Sequence, residues 1–325
     1  MGVAVLGAGA WGTAIAGVLA GRMDVRLWAR DAAQARAIRE TRRNERYLPG
    51  FALPAAVAVT DELPRALEGA ELVLAATPVA GLREVLAKLS ARQGVVWLCK
   101  GFEQGSGALP HQIAAETLGR DARCGALSGP SFAEEVAQGL PCALTLACAD
   151  AAFAQQAAGR LHGGRMRVYY STDLVGVEIC GALKNVMAIA AGISDGLGLG
   201  LNARAALITR GLAETARLGA ALGARPETVM GLAGVGDLIL TATGDLSRNR
   251  RVGLALARGE PLAAILKQLG HIAEGVGSAR EVARLAAERG VDMPVTEAVN
   301  AVLSGALSPA AAVDRLLARD PKPER

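Results

Sequence analysis

One lysine in the second half of the chain has the surroundings of a residue that moves protons. Lys184 lies in Glu178–Ile189, a segment with helical spacing, and the residues three and four positions away from it carry no charge. Burial on such an apolar helix disfavours the charged ammonium, so the lysine must find an anion or lower its pKa. A lysine of lowered pKa can donate or accept a proton near neutral pH. Lys184 is therefore the predicted catalytic residue, and a structural lysine that extends its charge to a surface edge is the alternative.

A single carboxylate and a second lysine could join Lys184 in one reaction centre. Asp237 is the one acidic residue in the glycine-rich, apolar stretch Gly231–Thr241, and it could orient a buried lysine or balance its charge. Lys100 directly follows the predicted strand Val95–Cys99. That is the carboxyl end of a parallel strand, where open α/β sheets bind their ligands. A solvent-exposed lysine after a strand is the alternative for Lys100.

Two further segments carry groups that suit an anionic substrate. Ser247, Arg248 and Asn249 place a hydroxyl, a guanidinium and an amide in succession, a set that can surround a phosphate or a diol. Gly129 and Ser131 lie in a loop of small residues, which lets backbone donors approach a ligand closely. Taken alone, the first segment could be an exposed basic loop and the second a simple helix start.

Three glycines near the start of the chain predict a dinucleotide site. Gly7, Gly9 and Gly12 follow the predicted strand Val3–Leu6, open an apolar helix and lead into a second strand, Val25–Trp28. The first glycine allows a tight turn, the second lets the backbone approach a pyrophosphate, and the third lets helix and strand pack closely. The helix N-terminus then presents free N–H groups to the phosphates.

The end of the second strand bears on the choice of cofactor. An acidic residue there would bind the ribose 2′-hydroxyl of NADH, whereas an arginine can accept the 2′-phosphate of NADPH. This chain has Arg30 in that place, followed directly by Asp31. The arginine favours NADPH, NADH stays possible, and an exposed turn pair is the structural alternative.

Alternating short strands and helices fill the first half of the chain and predict a parallel, doubly wound Rossmann sheet. From Val175 onward nearly every segment has helical spacing. We therefore predict an α/β protein with a dinucleotide-binding domain at 1–175 and an all-helical, substrate-binding and catalytic domain at 176–325. The predicted strands are Val3–Leu6, Val25–Trp28, Val57–Thr60, Leu72–Ala76 and Val95–Cys99, with Cys142–Ala147 and Met166–Tyr170 at the far edge and a turn at Leu48–Gly50.

Composition and charge argue against several classes of function. The 325 residues are 51% hydrophobic, enough for two cores, and the net charge of +4 comes without the dense basic stripe of a nucleic-acid-binding protein. No uncharged apolar run reaches about eighteen residues, so we expect no membrane span. Because a strand is predicted to begin at Val3, we expect no signal peptide. Five cysteines without a metal-like pair indicate reduced thiols in the cytoplasm and no metal site, and the large apolar helical domain makes a homodimer the expected assembly.

Taken together and in order, these segments resemble the NAD(P)-dependent glycerol-3-phosphate dehydrogenase family. The resemblance covers nearly the whole chain. It implies reversible reduction of dihydroxyacetone phosphate by NADPH or NADH to sn-glycerol 3-phosphate, the backbone precursor of phospholipids. The matching motifs are Gly7–Ala14, Lys100–Gly101, Ser128–Ala133, Ala182–Asn185, Gly236–Leu238 and Ser247–Asn249.

The resemblance also implies a role for each site residue. Lys184 would accept the proton when the alcohol is oxidised and donate it in reduction, and Lys100 would touch both cofactor and substrate. The other implied substrate-binding residues are Gly129, Ser131, Asp237, Ser247, Arg248 and Asn249. The other implied cofactor-binding residues are Gly7, Gly9, Ala10, Trp11, Gly12, Arg30, Ala133, Arg248, Ile272 and Glu274.

The chain departs from the family pattern at two places, and two other functions are alternatives. Position 10 is alanine, where many relatives have serine, so only a backbone contact with the cofactor is expected there. The stretch Ile272–Glu274 matches the family more loosely. A hydroxyacid or ketoacid reductase with a buried lysine has a similar build. A nicotinamide-sensing module without turnover is the third possibility, and the presence of both Lys184 and Asp237 argues against it.

Overall fold

The structure is a computed structural model that describes residues 2–90, 93–269, 273–321 and 323. The chain divides into two compact units. The sheet unit comprises Met1–Cys99 and Pro110–Leu174, and the helical unit comprises Lys100–Leu109 and Val175–Arg325. The short segment Lys100–Leu109 thus belongs to the helical unit, although the residues on both sides of it belong to the sheet unit.

The sheet unit contains an eight-stranded sheet and a separate two-stranded sheet. The strands are β1 (Gly2–Leu6), β2 (Asp24–Trp28), β3 (Arg43–Asn44), β4 (Leu48–Ala52), β5 (Val57–Thr60), β6 (Ala70–Ala75), β7 (Gly94–Trp97), β8 (Cys124–Ser128), β9 (Cys142–Ala147) and β10 (Met166–Ser171). The large sheet has the order β10-β9-β8-β7-β6-β1-β2-β5, and β3 pairs with β4. In the centre, Val5 of β1 lies opposite Leu27 of β2 and Leu74 of β6, and all three side chains are fully buried.

The helices of the sheet unit connect its strands. They are α1 (Ala10–Leu19), α2 (Ala32–Thr41), α3 (Leu63–Leu67), α4 (Val79–Leu86), α5 (Pro110–Leu118), α6 (Ala133–Ala137) and α7 (Ala151–Leu161). Ile15 and Leu19 of α1, Ile38 of α2 and Phe153 of α7 share one apolar core with the strands. The predicted Rossmann sheet is confirmed, since each predicted strand is present.

The sheet differs from the prediction in three details. β8 and β9 are antiparallel, within a sheet that we predicted to be parallel. Between them lie residues 129–141, whose one helix, α6, has five residues and is too short to cover a parallel crossover, so the chain returns in the opposite direction. The sequence analysis missed β8 itself, because its run of small residues lacks a long aliphatic stretch. The predicted turn at Leu48–Gly50 is instead the start of β4, which pairs with β3.

The helical unit is built from helices within its described residues, as predicted. They are α8 (Leu174–Gly196), α9 (Gly200–Ala221), α10 (Pro226–Val229), α11 (Asp237–Thr243), α12 (Arg248–Ala257), α13 (Leu262–Leu269), α14 (Glu274–Arg289), α15 (Pro294–Leu303) and α16 (Pro309–Leu317), with a single π-helical turn at Leu232–Gly236 before α11. Helix α8 is buried along most of its length and contributes Ile179, Leu183, Val186 and Ile189 to two apolar clusters.

Helix α8 also has the length and hydropathy of a membrane span. Of its most apolar window, 83% is buried inside the protein, which is what the core helix of a globular unit shows. One bent helix pair, Pro226–Thr243 with Arg248–Ala257, meets the same criterion when it is counted as a single span. Length and composition alone are weak grounds for a membrane span in either case.

Candidate active site

The glycine-rich loop of the sheet unit has the geometry that its sequence predicted. Gly7 has a φ of +122°, which favours glycine, and a Cβ there would lie 2.7 Å from the carbonyl oxygen of Ala76. A Cβ on Gly12 would lie 2.0 Å from the carbonyl oxygen of Gly7, so helix α1 and strand β1 can approach this closely only with glycine there. A Cβ on Gly9 would have no neighbour within 4 Å. The side of Gly9 is thus open to a ligand, while Gly7 and Gly12 are fixed by packing.

Two side chains that the sequence analysis did not identify hold this loop. The Asn44 amide donates hydrogen bonds to the carbonyl oxygen of Ala8 at 2.9 Å and to Oγ1 of Thr13 at 2.7 Å, and the Gln34 amide donates to the same Ala8 carbonyl at 2.7 Å. Asn44 is buried although it lies in a strongly basic stretch. Its contacts join residues more than thirty positions apart, so no local pattern could have predicted them.

The helix that follows the loop begins without a side-chain cap. Gly9 is the N-cap of α1 and offers no side chain to its first N–H groups. Those groups can bind an anion, as helix N-termini do. Ala10 and Trp11, in the first turn, pack in one small apolar cluster with Ala133 at the start of α6. Three residues implied to bind the cofactor therefore lie together.

The residues that follow β2 divide into a capping carboxylate and an exposed guanidinium. The Asp31 side chain caps α2 by accepting hydrogen bonds from the backbone N–H groups of Ala33 at 2.9 Å and Gln34 at 3.4 Å. Arg30 is 76% exposed, and its guanidinium lies 3.5 Å from the Glu84 carboxylate. Asp31 is thus already engaged by its own helix, whereas Arg30 makes one long, exposed ion pair.

Gly129 and Ser131 follow β8 directly and are in contact. The Ser131 hydroxyl donates a hydrogen bond to the Gly129 carbonyl oxygen at 2.9 Å. A Cβ on Gly129 would lie 3.0 Å from the carbonyl oxygen of Ala143 in the neighbouring strand β9. The loop is therefore a tight turn at the end of a strand, in the sheet unit.

The glycine geometry predicts opposite phenotypes for two alanine substitutions. We expect Gly12→Ala to lower the free energy of unfolding by about 1–3 kcal/mol, because its Cβ would overlap the Gly7 carbonyl oxygen. We expect Gly9→Ala to leave the unfolding midpoint unchanged and to weaken dinucleotide binding about tenfold or more, since the motif predicts that a pyrophosphate approaches the backbone there. Urea unfolding and fluorescence titration with NADPH measure the two effects. A Gly9→Ala variant that binds NADPH normally would contradict the predicted position of the pyrophosphate.

The helical unit joins both predicted lysines to one carboxylate. Lys184 Nζ lies 2.5 Å from Oδ1 of Asp237, and Lys100 Nζ lies 2.6 Å from Oδ2 of the same residue. Asp237 is 1% exposed, and the lysine side chains are 11% and 13% exposed, respectively. The contact between Lys184 and Asp237 that the sequence suggested is therefore present. Lys100 joins the same carboxylate because the segment that follows β7 packs with the helical unit.

Burial and charge together set the proton affinities of this cluster. The pKa of Lys184 is lowered to about 8, mainly by burial and also by the Lys100 charge, while Asp237 acts in the opposite direction. Burial alone would raise the pKa of Asp237, but the positive charges of Lys100 and Lys184 outweigh it and hold that pKa below its usual value. Near neutral pH Asp237 is thus a carboxylate, and Lys184 is able either to hold a proton or to release it.

A threonine completes the contacts of Lys184. Lys184 Nζ donates a hydrogen bond to Oγ1 of Thr241 at 3.1 Å, and that hydroxyl donates to the backbone carbonyl oxygen of Asp237 at 2.6 Å. Thr241 lies one helical turn after Asp237, so the spacing of four residues could have identified it. The π-helical turn Leu232–Gly236 ends directly before Asp237, and such turns are frequent at functional sites.

Asn249 takes part in a chain of amide hydrogen bonds. Its side-chain oxygen accepts from the backbone N–H of Gly275 at 3.1 Å, and its side-chain N–H donates to Oδ1 of Asn185 at 2.9 Å. The Asn185 amide in turn donates to the Lys100 carbonyl oxygen at 3.5 Å. Asn185 was not among the predicted site residues, although it directly follows Lys184. This series of hydrogen bonds joins α14, α12, α8 and the segment that contains Lys100.

The basic run that begins at Ser247 is used in several ways. The Ser247 hydroxyl caps α12 by accepting a hydrogen bond from the backbone N–H of Arg250 at 3.2 Å. The Arg250 guanidinium binds the Asp195 carboxylate at 2.8 Å. Arg248, by contrast, has an exposed side chain. Arg251 is exposed as well, and its Nε donates to the carbonyl oxygen of Asp245 at 3.0 Å.

Glu274 lies at the start of α14, beside the lysine cluster. Burial raises the pKa of Glu274, and the charges of Arg248, Lys100 and Lys184 oppose that shift. Its carboxylate also accepts a hydrogen bond from the backbone N–H of Lys100. Ile272, the other residue implied for this part of the site, lies outside the described residues. No group of three or more histidine, cysteine, aspartate or glutamate side chains suited to a metal ion occurs in the part of the chain that the structure describes.

Comparison with known proteins gives one consistent result. The family models for the N-terminus and the C-terminus of NAD-dependent glycerol-3-phosphate dehydrogenase match residues 2–154 and 173–314. The glycerol-3-phosphate dehydrogenase (NAD(P)+) of Dechloromonas aromatica is 61% identical over all of this chain and 99% of its own length, and that of Aromatoleum aromaticum is 58% identical over the full length of both. The crystal structure of glycerol-3-phosphate dehydrogenase from Coxiella burnetii superposes with a TM-score of 0.93 at 42% identity and covers 98% of this chain and 99% of that one.

Proposed function

This chain belongs to the NAD-dependent glycerol-3-phosphate dehydrogenase family, and we propose that Lys184 exchanges the proton in its reaction. The chain is an NAD(P)-dependent dehydrogenase that interconverts dihydroxyacetone phosphate and sn-glycerol 3-phosphate. The observation that carries the role of Lys184 is the buried contact of its Nζ with Asp237 and Thr241. We also propose a dinucleotide-binding domain at 1–175 and a substrate-binding and catalytic domain at 176–325.

The open face of Gly9 and the uncapped start of α1 fit a dinucleotide. When bound, the nicotinamide supplies the hydride that reaches the carbonyl carbon. The carbonyl oxygen then gains negative charge, and Lys184 as an ammonium stabilises that charge and donates its proton, which leaves an alcohol. Asp237 holds the lysine in place, and Lys100 adds a second positive charge beside it. In the reverse direction neutral Lys184 accepts the hydroxyl proton.

The remaining site assignments complete the proposal. Lys100 and Arg248 provide positive charge for the substrate phosphate and the cofactor, and Asp237, Ser247 and Asn249 frame the substrate from the helical unit. Gly129 and Ser131 bind substrate, whereas Gly7, Gly9, Ala10, Trp11, Gly12, Arg30, Ala133, Ile272 and Glu274 bind the cofactor. Ser247 and Asn249 contact the substrate in addition to the structural hydrogen bonds that both already make.

NADPH is the proposed preferred cofactor. Arg30 is exposed at the end of β2, and Asp31, the acidic residue that could bind a ribose 2′-hydroxyl, caps α2 instead. We further propose a cytoplasmic homodimer that supplies glycerol phosphate for phospholipid synthesis. An odd number of cysteines, five, without a metal-like pair supports a reducing compartment. The apolar composition of the helical domain supports an assembly of two chains.

A steady-state assay with dihydroxyacetone phosphate and each cofactor in turn tests the function and the cofactor preference. We expect turnover with dihydroxyacetone phosphate and none with a panel of 2-keto acids. For Arg30→Ala, we expect the KM for NADPH to rise about tenfold, the cost of one charge-assisted phosphate contact, and the KM for NADH to stay unchanged. Turnover of a keto acid instead would establish the related reductase function, and an equal effect on both cofactors would remove Arg30 from phosphate recognition.

A further inference from the structure

The segment that carries Lys100 has an unusual place in the chain. Residues Lys100–Leu109 leave the sheet unit after Cys99, pack with the helical unit and return at Pro110. The segment contains neither helix nor strand. Phe102 and Leu109 anchor it, since both are buried in a cluster with side chains of α8 and α14. The position of the Lys100 ammonium therefore depends on contacts that the segment makes with helices of the helical unit.

One face of helix α14 supplies the polar contacts. Glu274, Gly277, Glu281 and Arg284 follow one another at intervals of three, four and three residues, so they lie on the same side of the helix. At one end of this face, the Glu274 carboxylate accepts a hydrogen bond from the backbone N–H of Lys100. A Cβ on Gly277 would lie 2.6 Å from the side-chain nitrogen of Gln104, which shows how closely the segment lies against the helix.

Glu281 makes the central contact of this face. Its Oε1 accepts a hydrogen bond from the backbone N–H of Gly105 at 3.2 Å, and its Oε2 lies 3.2 Å from Nε of Arg284. Arg284 donates in turn to the Ser106 carbonyl oxygen at 3.4 Å and binds the exposed Glu288 carboxylate at 2.5 Å. Glu281 is only 7% exposed, and a buried carboxylate is tolerated only when it is paired and hydrogen-bonded. Here both partners of that carboxylate fix the segment.

We propose that Glu281 is a positioning residue, which holds segment 100–109 on α14 and thereby places the Lys100 ammonium on Asp237, beside the proton-transferring lysine. The inference rests on the proposed role of Lys184. Without the Glu281 contacts the middle of the segment is released, and Lys100 moves away from Asp237. Lys184 then keeps its bond to Asp237 and loses the repulsion of a neighbouring positive charge. It consequently holds its proton to a higher pH.

Two variants of Glu281 test this role, and Glu288→Gln is the matched control. Glu288 lies on the same helix and binds the same arginine, but its partner atom on Arg284 is not the one that contacts the segment. We expect Glu281→Ala to lower kcat/KM for dihydroxyacetone phosphate about tenfold, the scale of a misplaced charged group. Glu281→Gln keeps an acceptor for Gly105, so its loss is smaller. Glu288→Gln stays within about twofold, as for an exposed pair.

The pH profile separates positioning from a merely structural role. For Glu281→Ala, the pH above which the reduction rate declines moves upward from its wild-type value, and for Glu281→Gln it moves less. A loss of folded enzyme alone would scale the whole profile and leave its midpoint in place. If Glu281→Ala does not fold, as its unfolding midpoint would show, the comparison of Glu281→Gln with Glu288→Gln carries the test. An unchanged midpoint in folded Glu281 variants overturns the proposal.

A readout that needs no turnover distinguishes this inference from the proposed function. Acetic anhydride labels neutral amines, so the pH dependence of Lys184 acetylation, followed by peptide mass spectrometry, reports its protonation directly. An upward shift of that dependence in the Glu281 variants supports the positioning role whether or not dihydroxyacetone phosphate is reduced. The same dependence in wild type and in both variants overturns it. Failure of the wild-type enzyme to reduce dihydroxyacetone phosphate would count against the proposed function alone.

Discussion

Replacement of Lys184 by alanine is expected to lower kcat for dihydroxyacetone phosphate reduction about a hundredfold or more. In the proposed mechanism, the variant loses both the ammonium that stabilises the developing alkoxide and the proton that completes the alcohol. Lys100 still lies on Asp237, so some positive charge remains in the site. NADPH affinity should stay within about twofold, because the glycine-rich loop that we assign to the pyrophosphate belongs to the sheet unit.

Two companion variants make this result specific. Lys267→Ala removes an exposed lysine from α13 of the same unit and should leave kcat unchanged. Lys184→Arg keeps the positive charge but cannot release a proton near neutral pH, because a guanidinium does not deprotonate in that range. We therefore expect Lys184→Arg to remain impaired in both directions. A folded Lys184→Ala variant with near-normal turnover would remove this lysine from the mechanism.

The lowered pKa of Lys184 predicts opposite pH dependences for the two reaction directions. In the proposed mechanism reduction requires the ammonium, so its rate should fall as the pH rises through about 8. Oxidation of sn-glycerol 3-phosphate requires the neutral amine, so its rate should rise through the same range. Initial rates in both directions between pH 6 and pH 10 measure the two profiles, with the wild-type enzyme as its own control. Parallel profiles would contradict a single proton-exchanging lysine.

The glycine motif and the lysine helix were predictable because each is encoded locally. The glycine motif lies within six residues and consists of Gly7, Gly9 and Gly12. The geometry around these glycines matches the packing roles inferred from their spacing. The uncharged neighbours of Lys184 along one helix indicated burial, and Asp237 was conspicuous as a single carboxylate in its own apolar stretch. Patterns of period two or 3.6 carry this kind of information.

Contacts between distant segments were not predictable in the same way. Strand β8 lacks the aliphatic run that marks the other strands, and it is a strand because its neighbours in the sheet pair with it. Asn44 holds the glycine loop from 36 residues away. The segment 100–109 has no periodic pattern, so nothing in its sequence predicts that it packs with the helical unit and is held by Glu281. These features depend on tertiary contacts, which a single sequence does not record.

Replacement of Asp237 by asparagine is expected to combine a large loss of activity with a loss of stability. The carboxylate binds both ammonium groups at 2.5 and 2.6 Å, and an amide of the same size removes the charge that neutralises them. Removal of one partner from a buried ion pair costs about 3–5 kcal/mol of stability, because the remaining charges stay buried and uncompensated. We expect kcat for reduction to fall about a hundredfold or more, since Lys184 loses both its orientation and its proton at working pH.

The direction of the pH effect distinguishes this variant from the others. Asp237 raises the pKa of Lys184, and Lys100 lowers it, so the loss of the carboxylate leaves burial and repulsion unopposed. The decline of the reduction rate should therefore begin at a lower pH in Asp237→Asn than in the wild-type enzyme, whereas the Glu281 variants shift it upward. Asp314→Asn, which changes an exposed carboxylate on α16, is the matched control for stability and rate. Rate profiles and urea unfolding of the three proteins test both effects. An Asp237→Asn profile that moves upward or stays in place would mean that the carboxylate does not set the proton affinity of Lys184.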